Sequence, residues 1–192
     1  MAQNSDMLEL LNKMKNEYYT NESKNMFFKN AQKEKCAQSI SKQIDFSELL
    51  KNMAYIIPGT NKIYIDYPIF KSFANETNYG NIINYIIEKI MSCIQQYNMY
   101  EMHLNLKGFT ISATERYKSV IQLFCNQCCS TSSDTTNGFS KHLINMYIYH
   151  TPSMMETIFK GFSKMIDPLI KHKILLYSKS DSDASMAVLH KV

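Results

Sequence analysis

Apolar residues recur along this chain with two periods, and the change from one to the other marks its elements. Met7, Leu11, Met14 and Tyr18 fall at helical spacing and predict a first amphipathic helix. Residues 21–43 are polar and lysine-rich around Met26-Phe27-Phe28, a weaker helical pattern. Asp45-Phe46-Ser47-Glu48 has the form of a capping box and opens a short helix through Leu49, Leu50 and Met53, which Pro58-Gly59 ends. Residues 1–59 therefore read as a helical N-terminal segment, with no motif of their own.

From residue 60 strands and helices alternate. Ile63, Ile65, Tyr67, Ile69 and Phe70 predict a first strand, with Pro68 placing it at an edge or ending it early. Ile83, Ile86, Ile87, Ile90 and Ile94 share one side of a helix over 82–97. Tyr100–Leu106 is the next predicted strand, read as one buried on both faces. Ser112-Ala113-Thr114-Glu115 predicts a capped helix through Val120, Ile121, Phe124 and Cys128, followed by an exposed Ser/Thr loop over 130–138. Met146-Tyr147-Ile148-Tyr149 is the next strand. A helix from Ser153 to Ile166 follows, with a third capping box at Ser153–Glu156, and then a strand over 173–178. Residues 180–192 begin Ser-Asp-Ser-Asp and read as a disordered polar tail. Strand, helix, strand, helix, strand is parallel-sheet grammar, because parallel neighbours need a crossover long enough to hold a helix. The expected fold is α/β: a mixed, mainly parallel sheet of about four to five strands flanked by helices, over residues 60–179.

Composition narrows the function. The 192 residues are 45% hydrophobic, enough for a real core, and carry a formal net charge of +4. Arg116 is the only arginine, which speaks against specific base reading and bidentate phosphate sites, so no nucleic-acid partner is expected. The scattered glycines build neither G-x-G-x-x-G nor a Walker loop, and there is no G-x-S-x-G elbow. Cys125, Cys128 and Cys129 form C-x-x-C-C without a second ligand pair, near a helix C-terminus that disfavours a thiolate, so inert thiols are expected and no metal. Glu115 and Glu156 are explained by capping. His103 and His150 sit at the margins of adjacent predicted strands, read as satisfied polar residues with no nucleophile beside them. No catalytic residue and no cofactor are expected, and the reading is of a non-enzyme. No apolar run approaches a bilayer span and no signal segment precedes the first helix, so the expected location is cytoplasmic.

The stretch from residue 62 to 179 resembles the CRAL-TRIO lipid-binding family. The resemblance rests on Asn105-Leu106-Lys107-Gly108-Phe109, on the strand–helix unit from Met146 through Pro152 to Asp167-Pro168, and on Lys171-His172-Lys173-Ile174-Leu175-Leu176, in family order and spacing. It implies a mobile gate helix over a lipid pocket at Ser153–Ile166. Met146, Ile148, Met155, Ile158, Phe159, Phe162, Met165 and Ile166 would then line pocket and gate, where unbranched methionines adapt to variable ligand shapes. By itself that apolar stripe is what any core helix shows. At roughly 0.8 kcal/mol per CH₂, a chain of about sixteen carbons would gain about 12 kcal/mol gross. Lys171, Lys173 and Lys179 would meet an anionic headgroup or a membrane surface, each worth at most about 1 kcal/mol.

The family's headgroup pattern is otherwise broken. Its threonine falls on Ile170, its glutamate on Lys141, its phosphocholine-binding pair on Tyr100 and Met102, its strand-end Asn on His150 and its Asp on Asn105; only Lys173 carries over. The Pro- and Gly-containing segment that finishes the domain in relatives has no counterpart after Lys173, so a smaller or open pocket, or one completed by a second copy, is expected. Two functions stay in view: a lipid-binding or lipid-transfer protein touching membranes transiently, and a module of the same family that binds a protein partner or itself without ligand.

Overall fold

The computed structural model describes residues 2–22, 29–129, 138–164 and 166–189. Three helices lead: α1 (Ala2–Asn21), α2 (Lys29–Gln43) and α3 (Phe46–Met53). Met7 and Leu11 of α1 are buried, as their spacing predicts, and so are Cys36 and Ile40 of α2. Asp45 caps α3, its Oδ1 accepting from the Glu48 N–H at 3.0 Å. The helix does not run on to Pro58-Gly59. Ala54 turns extended directly after Met53, and β1 (Ala54–Ile56) pairs antiparallel with β2 (Lys62–Asp66). Pro58 and Gly59, at φ +71°, form the tip of that hairpin. The boundary expected at residue 59 therefore falls inside a hairpin, and the leading helices share one core with the sheet: Leu11 and Ile40 join Ile63, Phe73 and Ile82.

The predicted first strand is also shorter than its apolar pattern. β2 ends at Asp66, whose Oδ1 accepts from the Ile69 N–H at 3.3 Å and caps α4 (Tyr67–Phe73). Pro68 explains the switch. It lacks an N–H and cannot continue a strand paired on both sides, but it fits the first turn of a helix. Next come α5 (Tyr79–Tyr97), closed by Asn98 in the left-handed conformation, and β3 (Tyr100–Asn105). α6 (Ile111–Arg116) is capped by Thr110 rather than Ser112. It leads to α7 (Lys118–Cys129), α8 (Phe139–His142) and β4 (Leu143–Tyr149). α9 (Met155–Phe162), α10 (Pro168–Lys171), β5 (Ile174–Leu176) and α11 (Lys179–Leu189) complete the order. The Ser/Thr loop expected over 130–138 lies outside the described residues except for Gly138.

The sheet has five strands in the order β1-β2-β3-β4-β5, with β2 through β5 parallel. Sequence-adjacent parallel strands joined by crossovers of one hand put every crossover on the same face. The mixed α/β architecture is the expected one, but its helices are unevenly shared. α5, α7 and α9 lie over one face, against Ile65, Met102, Leu104, Met146 and Ile148. The other face presents Tyr55, Tyr64, His103, Tyr147, Tyr149 and Tyr177, and the helix packed on it is α11.

α11 corrects the reading of a disordered tail. Ser182, Met186 and Leu189 fall on one helical face; Ser182 and Leu189 are buried, and Met186 packs with Leu189 against Tyr64 and Tyr149. The Ser182 hydroxyl accepts from the His150 N–H at 2.7 Å and donates to the Ser178 carbonyl. Residues 190–192 are outside the described structure. Leu189→Ala should therefore destabilise the protein by about 2 kcal/mol in urea unfolding. A change within about 0.5 kcal/mol, normal for a solvated tail, would contradict the packing.

Candidate functional site

Between the helix-bearing face of the sheet and its helices lies a cavity of about 300 Å³. Met146 and Ile148 of β4 form part of its floor, and Met155, Ile158, Phe159 and Phe162 of α9 and the following Ile166 form a wall. These are residues singled out from sequence, and they line one space. Met165 alone lies outside the described residues. The space is not filled by Phe159, Phe162 and Met146; they line it.

The sequence reading missed the remaining walls. Ile83 and Ile86 of α5, and Val120 and Phe124 of α7, face the same space, as do Tyr100, Met102 and Leu104 of β3. Their helical and strand periodicities were visible, but periodicity says only that a side chain turns inward, not whether it meets a neighbour or a void.

α9 differs from the predicted gate in extent. It starts at Met155, and its cap residue Met154 makes no side-chain capping bond, so the box expected at Ser153–Glu156 does not form. Its Met155, Ile158 and Phe159 reach inward to the cavity and join the core. Both of its ends are fastened. Thr151 donates its N–H (3.1 Å) and its hydroxyl (2.8 Å) to the Tyr177 carbonyl, while Asp167 caps α10 through the Leu169 N–H at 2.9 Å. The result is a short apolar helix strung between two pinned points.

The polar groups around the cavity are engaged elsewhere. The Tyr117 hydroxyl donates to the Lys71 carbonyl at 3.4 Å, and burial pushes its pKa up. Lys173, carried over as a headgroup contact, has its ammonium committed to the backbone: Nζ donates to the carbonyls of Ser140 at 2.9 Å and Leu143 at 2.5 Å. It ties β5 to the start of β4. This corrects the headgroup role, because a lysine closing two buried carbonyls has little left for a ligand. Lys171 is exposed on α10, beside the cavity-lining Ile170.

The opposite face holds a polar network at and near the strand ends. His103 bonds through Nδ1 to the Tyr149 hydroxyl at 2.9 Å and through Nε2 to Glu101 Oε2 at 3.4 Å, stacked 4.6 Å from the Tyr147 ring. His150, at φ 54°, bonds to Asn105 Oδ1 at 3.0 Å and to Asp183 Oδ1 at 3.1 Å. Both rings lie on one face, as their strand positions allowed, but each is held by its own partners. Asp66 closes the row; burial raises its carboxyl pKa, against hydrogen bonds from the Ile69 N–H, Asn105 and Tyr64. Cys36 and Cys93 are buried, with thiols pushed up by burial. Among the described residues no group of three or more His, Cys, Asp or Glu could hold a metal; the side chains of Cys128 and Cys129 are not among them. No described helix is long and apolar enough to cross a membrane.

Compared with the models of known protein families and with curated protein sequences, the chain matches none.

Two measurements check these assignments. Lys173→Met strands two carbonyls and should cost about 1–3 kcal/mol in urea unfolding; unchanged stability would return the lysine to solvent. For Asp66, the folded pKa lies above the unfolded one, so its contribution is full at low pH and is lost as pH rises through the folded value. Asp66→Asn keeps a capping side chain without the charge, so its stability relative to the parent should improve from acid to neutral pH. A variant whose stability relative to the parent falls over that range would reverse the assigned direction.

Proposed function

We propose that this protein binds a hydrophobic molecule in the cavity beneath α9 and releases it without chemistry, as a carrier of the CRAL-TRIO kind. The observation that carries the reading is the cavity itself: about 300 Å³, apolar, and walled on one side by Met155, Ile158, Phe159 and Phe162 of α9. That is about twice the size of an engineered apolar cavity that stays dry and takes up benzene. It corresponds to roughly a dozen ligand carbons, or about 10 kcal/mol gross at about 0.8 kcal/mol per CH₂, before ordering costs. The shape as it stands suits one aliphatic or isoprenoid chain; a two-chain phospholipid requires α9 to swing on its pinned ends. Exposed Met154 and Leu169, with Lys160, Lys164 and Lys171 around them, give the outside of α9 and α10 the mixed apolar and basic character that meets an acidic bilayer.

A second reading, a docking module for a protein partner or a second copy, is supported by β5. Among the described residues this strand pairs only with β4, and Leu175 and Leu176 are exposed on it, an open and apolar edge.

The deciding experiment is native mass spectrometry of the purified protein with extraction of bound lipid, followed by uptake from liposomes. Bound lipid or uptake is expected from the parent, and loss of it from Ile158→Trp, which fills the cavity and should leave the unfolding midpoint at or above the parent's. A folded parent that holds no lipid and takes none up refutes the carrier. If it is then dimeric by light scattering, the docking module stands.

A further inference from the structure

The entrance to α9 and the start of α11 are tied together at one point. The chain enters α9 through Thr151-Pro152-Ser153-Met154, directly after His150 at the end of β4. Thr151 gives both its N–H and its hydroxyl to the Tyr177 carbonyl, and Tyr177 stands two residues before α11. From α11 itself, the Ser182 hydroxyl accepts the His150 N–H at 2.7 Å, and Asp183 Oδ1 meets Nε2 of the His150 ring at 3.1 Å. Ser182 is fully buried where it makes this contact. Residues 150–151 and residues 177–183 thus share one set of hydrogen bonds, which holds the hinge of α9 and the docking of α11 together.

His150 carries strain at this joint. Its φ of 54° lies in the left-handed region, which a residue with a Cβ disfavours. Such a conformation persists only where its surroundings over-determine it. Those surroundings are Asn105 of β3, 3.0 Å from Nδ1, and Ser182 and Asp183 of α11. Two of the three partners come from α11. Without them the backbone at 150 can relax to negative φ, which re-aims Thr151 and the segment leading into α9. The docking of α11 is itself slight: Ser182 and Leu189 are buried and Met186 is half-buried beside them, while Asp183 and Val188 face solvent. Elements that bury so little are the first to open.

We infer that α11 is a latch on α9. Docked, it holds the α9 hinge through His150 and Thr151; lifted, it frees the near end of α9 to swing away from the cavity. The far end stays fastened, because Asp167 caps α10 and Ile170 and Ile174 beyond it belong to the cavity wall. The control is remote, since α11 packs on the opposite face of the sheet from the cavity. Whatever lifts α11 therefore opens the cavity without entering it. As a control on ligand passage the latch rests on the carrier reading, whereas the mechanical coupling of the two helices does not.

Hydrogen exchange of the full chain, read by mass spectrometry on peptides from α5, α9 and α11, tests the coupling without any ligand. Ser182→Ala removes the acceptor of the His150 N–H. Leu189→Ala loosens the other end of α11, where Leu189 packs with Ile57, Tyr64 and Tyr149. Both variants should speed exchange in α11, by about tenfold for Ser182→Ala, and α9 should follow by a similar factor while α5 does not change. Ile40→Ala, a core variant in α2, should destabilise the protein yet leave α9 exchange at the parental rate, which separates a latch from general loosening. In a second arm, uptake of a pyrene-labelled fatty acid from phosphatidylcholine liposomes should be faster in Ser182→Ala and Leu189→Ala than in the parent. Coupled exchange with no uptake by parent or variants keeps the latch and removes the carrier. Three results overturn the latch: α9 at the parental rate while α11 exchanges faster, a response of α9 to Ser182→Ala alone, or an α11 that keeps its protection in both variants.

Discussion

Parallel pairing of four consecutive strands constrains most of this architecture. Each junction from β2 to β5 needs a crossover, the crossovers share a hand, and the strands follow one another in order across the sheet. The connecting helices therefore crowd one face and leave the other nearly bare. On the crowded side the large aliphatic side chains of β3, β4, α5 and α9 meet around a void that they do not fill. The cavity follows from the winding of the sheet as much as from the residues that line it.

The bare side has the opposite solution. Along β3 and β4, Met102, Leu104, Met146 and Ile148 alternate with His103, Asn105, Tyr147 and Tyr149, so the second face is a sheet of rings and polar atoms rather than aliphatic carbon. Stacked rings bury area while keeping a polar end available, which lets one mostly polar helix cover them. His150 and Ser182 join the two layers by hydrogen bonds, where a thicker apolar interface would otherwise be needed.

Much of this was legible in the sequence. The isoleucine stripe of α5, the cap at Asp45 and the strand before Pro152 reflect local rules that no distant contact overrides. The errors share a cause. Tyr67, Ile69 and Phe70 alternate like a strand, but Pro68 and the Asp66 cap decide the backbone first. Ser112 and Ser153 have capping-box spacing, yet Thr110 takes the first cap, and α9 starts two residues late with Met154 at its cap. α11 looked too polar to order because its stabilising partners, Tyr64 and Tyr149, lie far away in sequence. Lys173 matched a family position, and only the fold reveals the two carbonyls that claim it.

The late position of α11 has a bearing on biosynthesis. Tyr55, Tyr64, Tyr147 and Tyr149 emerge from the ribosome well before the segment that shelters them, Lys179–Leu189. Until that segment is made, a nascent chain with an otherwise complete sheet displays a flat aromatic surface, open to chaperones and to other unfinished chains. Synthesis that pauses or stops just short of residue 179 would yield a molecule with its helix-covered core assembled and its sticky side uncovered.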